Sequence, residues 1–131
     1  MQDVSYAFGK TLEGTSLQEA ISRVEGALKD RGFGILTRID VHDTLKEKID
    51  VDFKPYVILG ACNPRLAHRA LTTDDSVGLL LPCNVVVTEA TDGAEVAFAS
   101  PKSMLDLAGQ AELLPVAEEA ERLLREACDK L

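Results

Sequence analysis

The sequence predicts one α+β domain over residues 1–131: a mostly antiparallel sheet with helices packed on one face. Three observations point there. Short β-branched runs alternate as half-buried strands do. Two longer stretches, within 13–34 and 111–131, carry apolar residues at helical spacing. Asp92-Gly93 stands between "VVVTEA" and "AEVAFA", a strong hairpin signal.

Each element has a local reason. "VSYAFGKTL" (4–12) puts Val4, Tyr6 and Phe8 on one side, so a first strand is expected there. Ser16 and Glu19 fit a capping box, which satisfies orphan N–H groups of a helix's first turn. Leu17, Ala20, Ile21, Val24, Ala27 and Leu28 then recur at helical spacing. Gly32 supplies the stop, since it takes the left-handed conformation without a Cβ clash. "FGILTRIDV" reads as a second strand, and Asp40 as the cap of a short helix carrying Val41, Leu45 and Ile49. "KPYVILGAC" is a third strand, apolar enough to predict partial burial on both faces. Asn63 and Pro64 open a helix, as preferred N-cap and first helical residue. "SVGLLLPCNVVVTEA" is strand-like, but Pro82 lacks an N–H and must kink, bulge or split it. Ser100-Pro101 opens a short helix that stops at Gly109. The closing "AELLPVAEEAERLLREACDKL" is a long amphipathic helix with Glu118–Arg122 and Glu121–Arg125 as i,i+4 pairs.

Composition excludes several functions. Fourteen Lys and Arg stand against 22 Asp and Glu, a net charge of −8, so nucleic acid and anionic membrane surfaces are poor partners. No apolar run approaches the roughly 20 residues of a membrane span, and the N-terminus lacks signal-peptide character. Three cysteines without zinc-ribbon spacing are expected as reduced thiols in a cytoplasmic setting. No nucleophile elbow, P-loop or dinucleotide fingerprint is present, and "GFG" at 32–34 is a helix stop.

The candidate site residues come from a doubled Cys-Asn pair, Cys62-Asn63 and Cys83-Asn84. Cys62 precedes a helix N-terminus, where partial positive charge favours a thiolate; the plainer reading is a small buried hydrophobe. Asn63 has a structural task as N-cap. Asn84 has none, and a buried amide inside "CNVVV" needs a partner. Cys128 reads as packing. His42 and His68 belong to no ligand-spaced motif, so no metal is expected, and Asp40, Asp43 and Asp50 read as caps and turn residues.

"GFGILTRIDVHDTLKEKIDVDFKPYVILGACNPRLAHRAL", "VGLLLPCNVVV" and "VAEEAERLL" closely resemble the domain-of-unknown-function family 302, from about Ser16 to Leu124. The resemblance implies a β-α-β(4)-α order and a curved sheet related in outline to the TATA-binding-protein-like fold. It also implies a small dimeric protein, and an antiparallel order that puts Cys83 nearer Tyr56, away from disulfide range of Cys62. It implies no activity, and fold likeness to a DNA binder carries no function by itself.

The favoured reading is a small-ligand-binding or regulatory module rather than an enzyme, with no cofactor. Its cavity is expected near Tyr56, Cys83 and Asn84, with Cys62 and Asn63 beside them. The alternatives are thiol-based redox, sulfur-species or soft-metal handling through Cys62 or Cys83, and a homodimeric interaction protein without a small-molecule site.

Overall fold

The computed structural model describes residues 3–131. The elements are β1 (Ala7–Glu13), α1 (Leu17–Lys29), β2 (Gly34–Asp40), α2 (Val41–Ile49), β3 (Tyr56–Cys62), α3 (Pro64–Thr73), a 3-10 helix (Asp75–Leu80), β4 (Cys83–Ala90), β5 (Gly93–Ala99), α4 (Pro101–Asp106), a 3-10 turn (Ala111–Leu113) and α5 (Leu114–Asp129). The five strands form one open sheet in the order β1-β5-β4-β3-β2, with every neighbouring pair antiparallel. Strands and the two long helices follow the expected β-α-β(4)-α order. Of the shorter helices, α2 is inserted between β2 and β3 and α3 between β3 and β4, while α4 lies between β5 and α5.

Alternation sorts the sheet's faces. Val57, Leu59 and Ala61 of β3, Val85 and Val87 of β4, and Val96 and Phe98 of β5 are buried on one face. Ile21, Val24 and Leu28 of α1 and Val116, Leu124 and Ala127 of α5 complete that core. The other face carries a row across all five strands: Gly9, Ala97, Val86, Ile58 and Ile39 stand in register. Ile39 is half exposed there, and Ile58 and Val86 are partly exposed. The apolar run of β3 therefore buries one face fully and the other only in part.

Several local expectations hold through visible bonds. The Glu19 N–H donates to Ser16 Oγ at 3.1 Å, and the Leu66 N–H to Asn63 Oδ1 at 3.2 Å. Gly32 follows α1 with φ +82°. Pro82 splits its segment: the 3-10 helix ends at Leu80, the Leu81–Pro82 peptide is cis, and β4 begins at Cys83.

Four details differ. The first strand begins at Ala7, because its partner β5 ends opposite at Ala99 and the Ser100 N–H donates to Tyr6 O at 2.8 Å. Asp40 occupies the N-cap position of α2, but its carboxylate accepts from Arg38 Nε and Nη2 instead of capping. The hairpin turn is Thr91-Asp92, with Gly93 already in β5. Gly93 is bare because a Cβ there would collide with the Leu12 carbonyl of neighbouring β1. On α5, Arg122 pairs with Glu126 at 3.2 Å rather than with Glu118, while Arg125 does bond Glu121 at 2.8 Å.

Candidate functional site

Antiparallel β3 and β4 are neighbours, yet α3 and the 3-10 helix lie between them in sequence. The chain leaves the sheet at Cys62 and returns to the same end at Cys83. This loop-out leaves a cavity of about 560 Å³ between the sheet end, α3, the 3-10 helix, α4 and α5. Its walls include Leu66 and Ala70 of α3, Leu80 before β4, Met104 and Leu105 of α4, and Val116 of α5. A volume of this order is typical of small-molecule sites, which run about 300–1,000 Å³.

Four of the five expected residues line it: Cys62, Asn63, Cys83 and Asn84. Tyr56 does not. The register pairs Tyr56 with Thr88, and Cys83 with Ala61, so Tyr56 lies at the opposite end of β3. The expected nearness of Cys83 to Tyr56 is thus corrected. Tyr56 belongs to a different neighbourhood, where its N–H donates to His42 Nδ1 at 3.0 Å and its ring meets Phe53 edge-on at 5.9 Å.

The register also revises the geometry of the thiols. Cys62 and Cys83 lie at one sheet end, close enough for the charge of one to act on the other. Both are free; Cys83 pairs with inward-facing Ala61, and Cys62 is the next residue along the neighbouring strand. Burial pushes the Cys83 thiol up to about 11, with the neighbouring Cys62 adding to the rise. Burial also raises Cys62. Loss of hydration therefore outweighs the helix N-terminus next to Cys62. Cys128 is buried on α5 and likewise raised, burial being the larger cause.

Asn84 is exposed, which corrects the expectation of a buried amide in need of a partner. It stands on the outer side of the sheet in one row with Gly60 and Thr37. Gly60 has no room for a side chain, because the Thr37 and Pro82 side chains fill the space. Thr37 and Asn84, on the strands either side of Gly60, both line the cavity.

Sequence reasoning did not find the opposite wall, Met104, Leu105 and Val116. These are ordinary apolar helix positions, and only the packing of α4 on α5 turns them toward the sheet end. A second group it passed over is Asp40, His42 and Asp43, whose ligand atoms lie within 4.8 Å of one another. The signal was the spacing "DVHD". Asp40 Oδ1 is engaged by Arg38 and His42 Nδ1 by the Tyr56 N–H, while His42 Nε2 lies 3.7 Å from Asp43 Oδ1.

No curated protein matches the chain. The family model described as "Domain of unknown function DUF302" matches residues 8–131. Among solved structures, the chain is similar to the crystal structure of an uncharacterized conserved protein DUF302 from Bacillus stearothermophilus. The two are 31% identical with a TM-score of 0.88, over 97% of this chain and 98% of that one. Strand order, sequence strings and family match agree, and the chain belongs to the DUF302 family.

Proposed function

We propose that this protein is a small-molecule binding module whose site is the cavity at the β3–β4 end of the sheet. One observation supports this above the others: a roughly 560 Å³ apolar cavity lies beside residues 82–84, with a few polar groups at its rim. That combination is the usual form of a ligand site. Titration with the fluorophore N-phenyl-1-naphthylamine tests it. Saturable enhancement is expected, and it should be lost when Ala67, an α3 residue of the cavity lining, is enlarged by Ala67→Phe. No saturable enhancement in the folded wild type would sink the reading.

Thiol chemistry is the runner-up, because Cys62 and Cys83 share the cavity lining. Desolvation counts against it by holding both thiols in the protonated, unreactive form. Three free cysteines fit a reducing compartment such as the cytoplasm. Among the described residues, no helix is long and apolar enough to cross a membrane. The net charge of −8 counts against nucleic acid as partner.

A homodimer is also proposed, through the outer sheet face. The row Ile39, Ile58, Val86 and Ala97 offers an apolar surface that a second copy would cover. Light scattering should give twice the 14.2 kDa chain mass, and Ile58→Lys should return it to one. A monomeric wild type at micromolar concentration would remove this part.

A further inference from the structure

We infer that the cavity selects uncharged, largely hydrocarbon ligands carrying a hydroxyl or carbonyl end, and discriminates against ions of either sign. This rests on the proposed binding function and specifies its ligand class. The observation behind it is chemical. Among the described residues that line the cavity there is no Asp, Glu, Lys, Arg or His. In a chain whose residues are 27% charged, that is a strong exclusion. The only titratable groups in the lining are the Cys62 and Cys83 thiols, and burial keeps both neutral. An ion placed inside loses its hydration and meets no countercharge, so it binds at a heavy loss.

The rim supplies what a neutral head group needs. The Thr37 hydroxyl, set over Gly60, and the Asn84 amide belong to residues that line the cavity, and neither side chain has a hydrogen-bond partner among the described residues. Each both donates and accepts, which suits an alcohol or carbonyl. Exposed Leu36 and Leu79 border the same opening and extend the apolar wall outward. The sulfurs of Cys62, Cys83 and Met104 add soft, adaptable contacts along the interior.

Net charge makes the opposite forecast. A protein at −8 attracts cations overall, so a cation should bind best if the global field governs. Octan-1-ol, octanoate and octylammonium share one chain and differ in head charge. Each is competed against N-phenyl-1-naphthylamine at neutral pH and about 0.15 M ionic strength, where long-range fields are largely screened. The alcohol should bind about tenfold or more tightly than either ion. Octylammonium or octanoate binding as well as the alcohol overturns the inference while leaving the binding function intact. Probe binding without competition by the alcohol overturns the inference alone, and failure of the folded wild type to bind the probe at all overturns both. Met104→Lys places a cation at a partly exposed wall position and should shift the octanoate-to-octanol preference about tenfold toward octanoate. An unchanged ratio in a folded Met104→Lys protein counts against the charge argument.

Discussion

Cys83 keeps its proton to a pKa of about 11, against an ordinary value of 9.0, because folding strips its water. At neutral pH its thiolate fraction is about 100-fold below that of a free cysteine. Iodoacetamide should therefore label Cys83 in the native protein about 100-fold more slowly than in the unfolded chain. Labelling at the unfolded rate would restore the thiol reading. The same shift has a stability consequence with a definite sign. The unfolded chain releases this proton near 9 and the folded one near 11, so stability is full below 9 and falls as pH rises through 11. The loss amounts to about 2–3 kcal/mol. Denaturant melts of wild type and Cys83→Ala should show the variant's profile flatter over that window. Thr88 offers another test at this scale. Its hydroxyl is buried without a hydrogen-bond partner among the described residues. Thr88→Val should raise stability by about 1 kcal/mol in urea denaturation. Asn63 was legible because capping is settled within three residues of chain. Asn84 was not, because its exposure depends on the strand-pairing register that sets it opposite Gly60.

The helices are held by a junction that periodicity hides. Glu121 looks like one half of a surface i,i+4 pair, but it is buried where α5 crosses the start of α4. It accepts from Ser100 Oγ at 2.6 Å, from the Lys102 N–H at 3.3 Å and from Arg125 Nε at 2.8 Å. Ser100 in turn caps α4 by accepting from the Ser103 N–H at 3.3 Å. Arg125 then lies over the Phe8 ring at 4.2 Å, and Phe8 stacks on Phe98 at 5.5 Å. One carboxylate thus joins two helices to the sheet edge. Glu121→Ala leaves those donors unpaired and should cost about 2–4 kcal/mol, with Glu121→Gln costing less. Chemical denaturation measures both; an Ala variant within about 0.5 kcal/mol of wild type would deny the junction its role. The starts of α1, α3 and α4 were readable because Ser16, Asn63 and Ser100 act on their own first turns. Glu121 was not readable, since its partner Ser100 lies 21 residues away and its burial comes from helix-on-helix packing.

At the scale of the molecule, sheet order creates the proposed site. Because β3 and β4 are neighbours with a helical excursion between them, both Cys-Asn pairs come to one end of the sheet. The α+β class was legible from periodicity, and the β-α-β(4)-α order from the family resemblance. The position of Tyr56 relative to Cys83 was not, since it needs the residue-by-residue register. Nor was the cavity's far wall, because Met104 and Val116 reach it only through the packing of α4 on α5. The central claim is that a neutral apolar molecule occupies this cavity and no other surface. The most direct test is a two-dimensional amide NMR titration of the protein with octan-1-ol. Saturable shifts should concentrate at Cys62, Cys83, α3 and Met104, leaving Tyr56 and the Ile39–Ile58 face unmoved. Absence of saturation, or shifts centred on that outer face instead, would contradict the account.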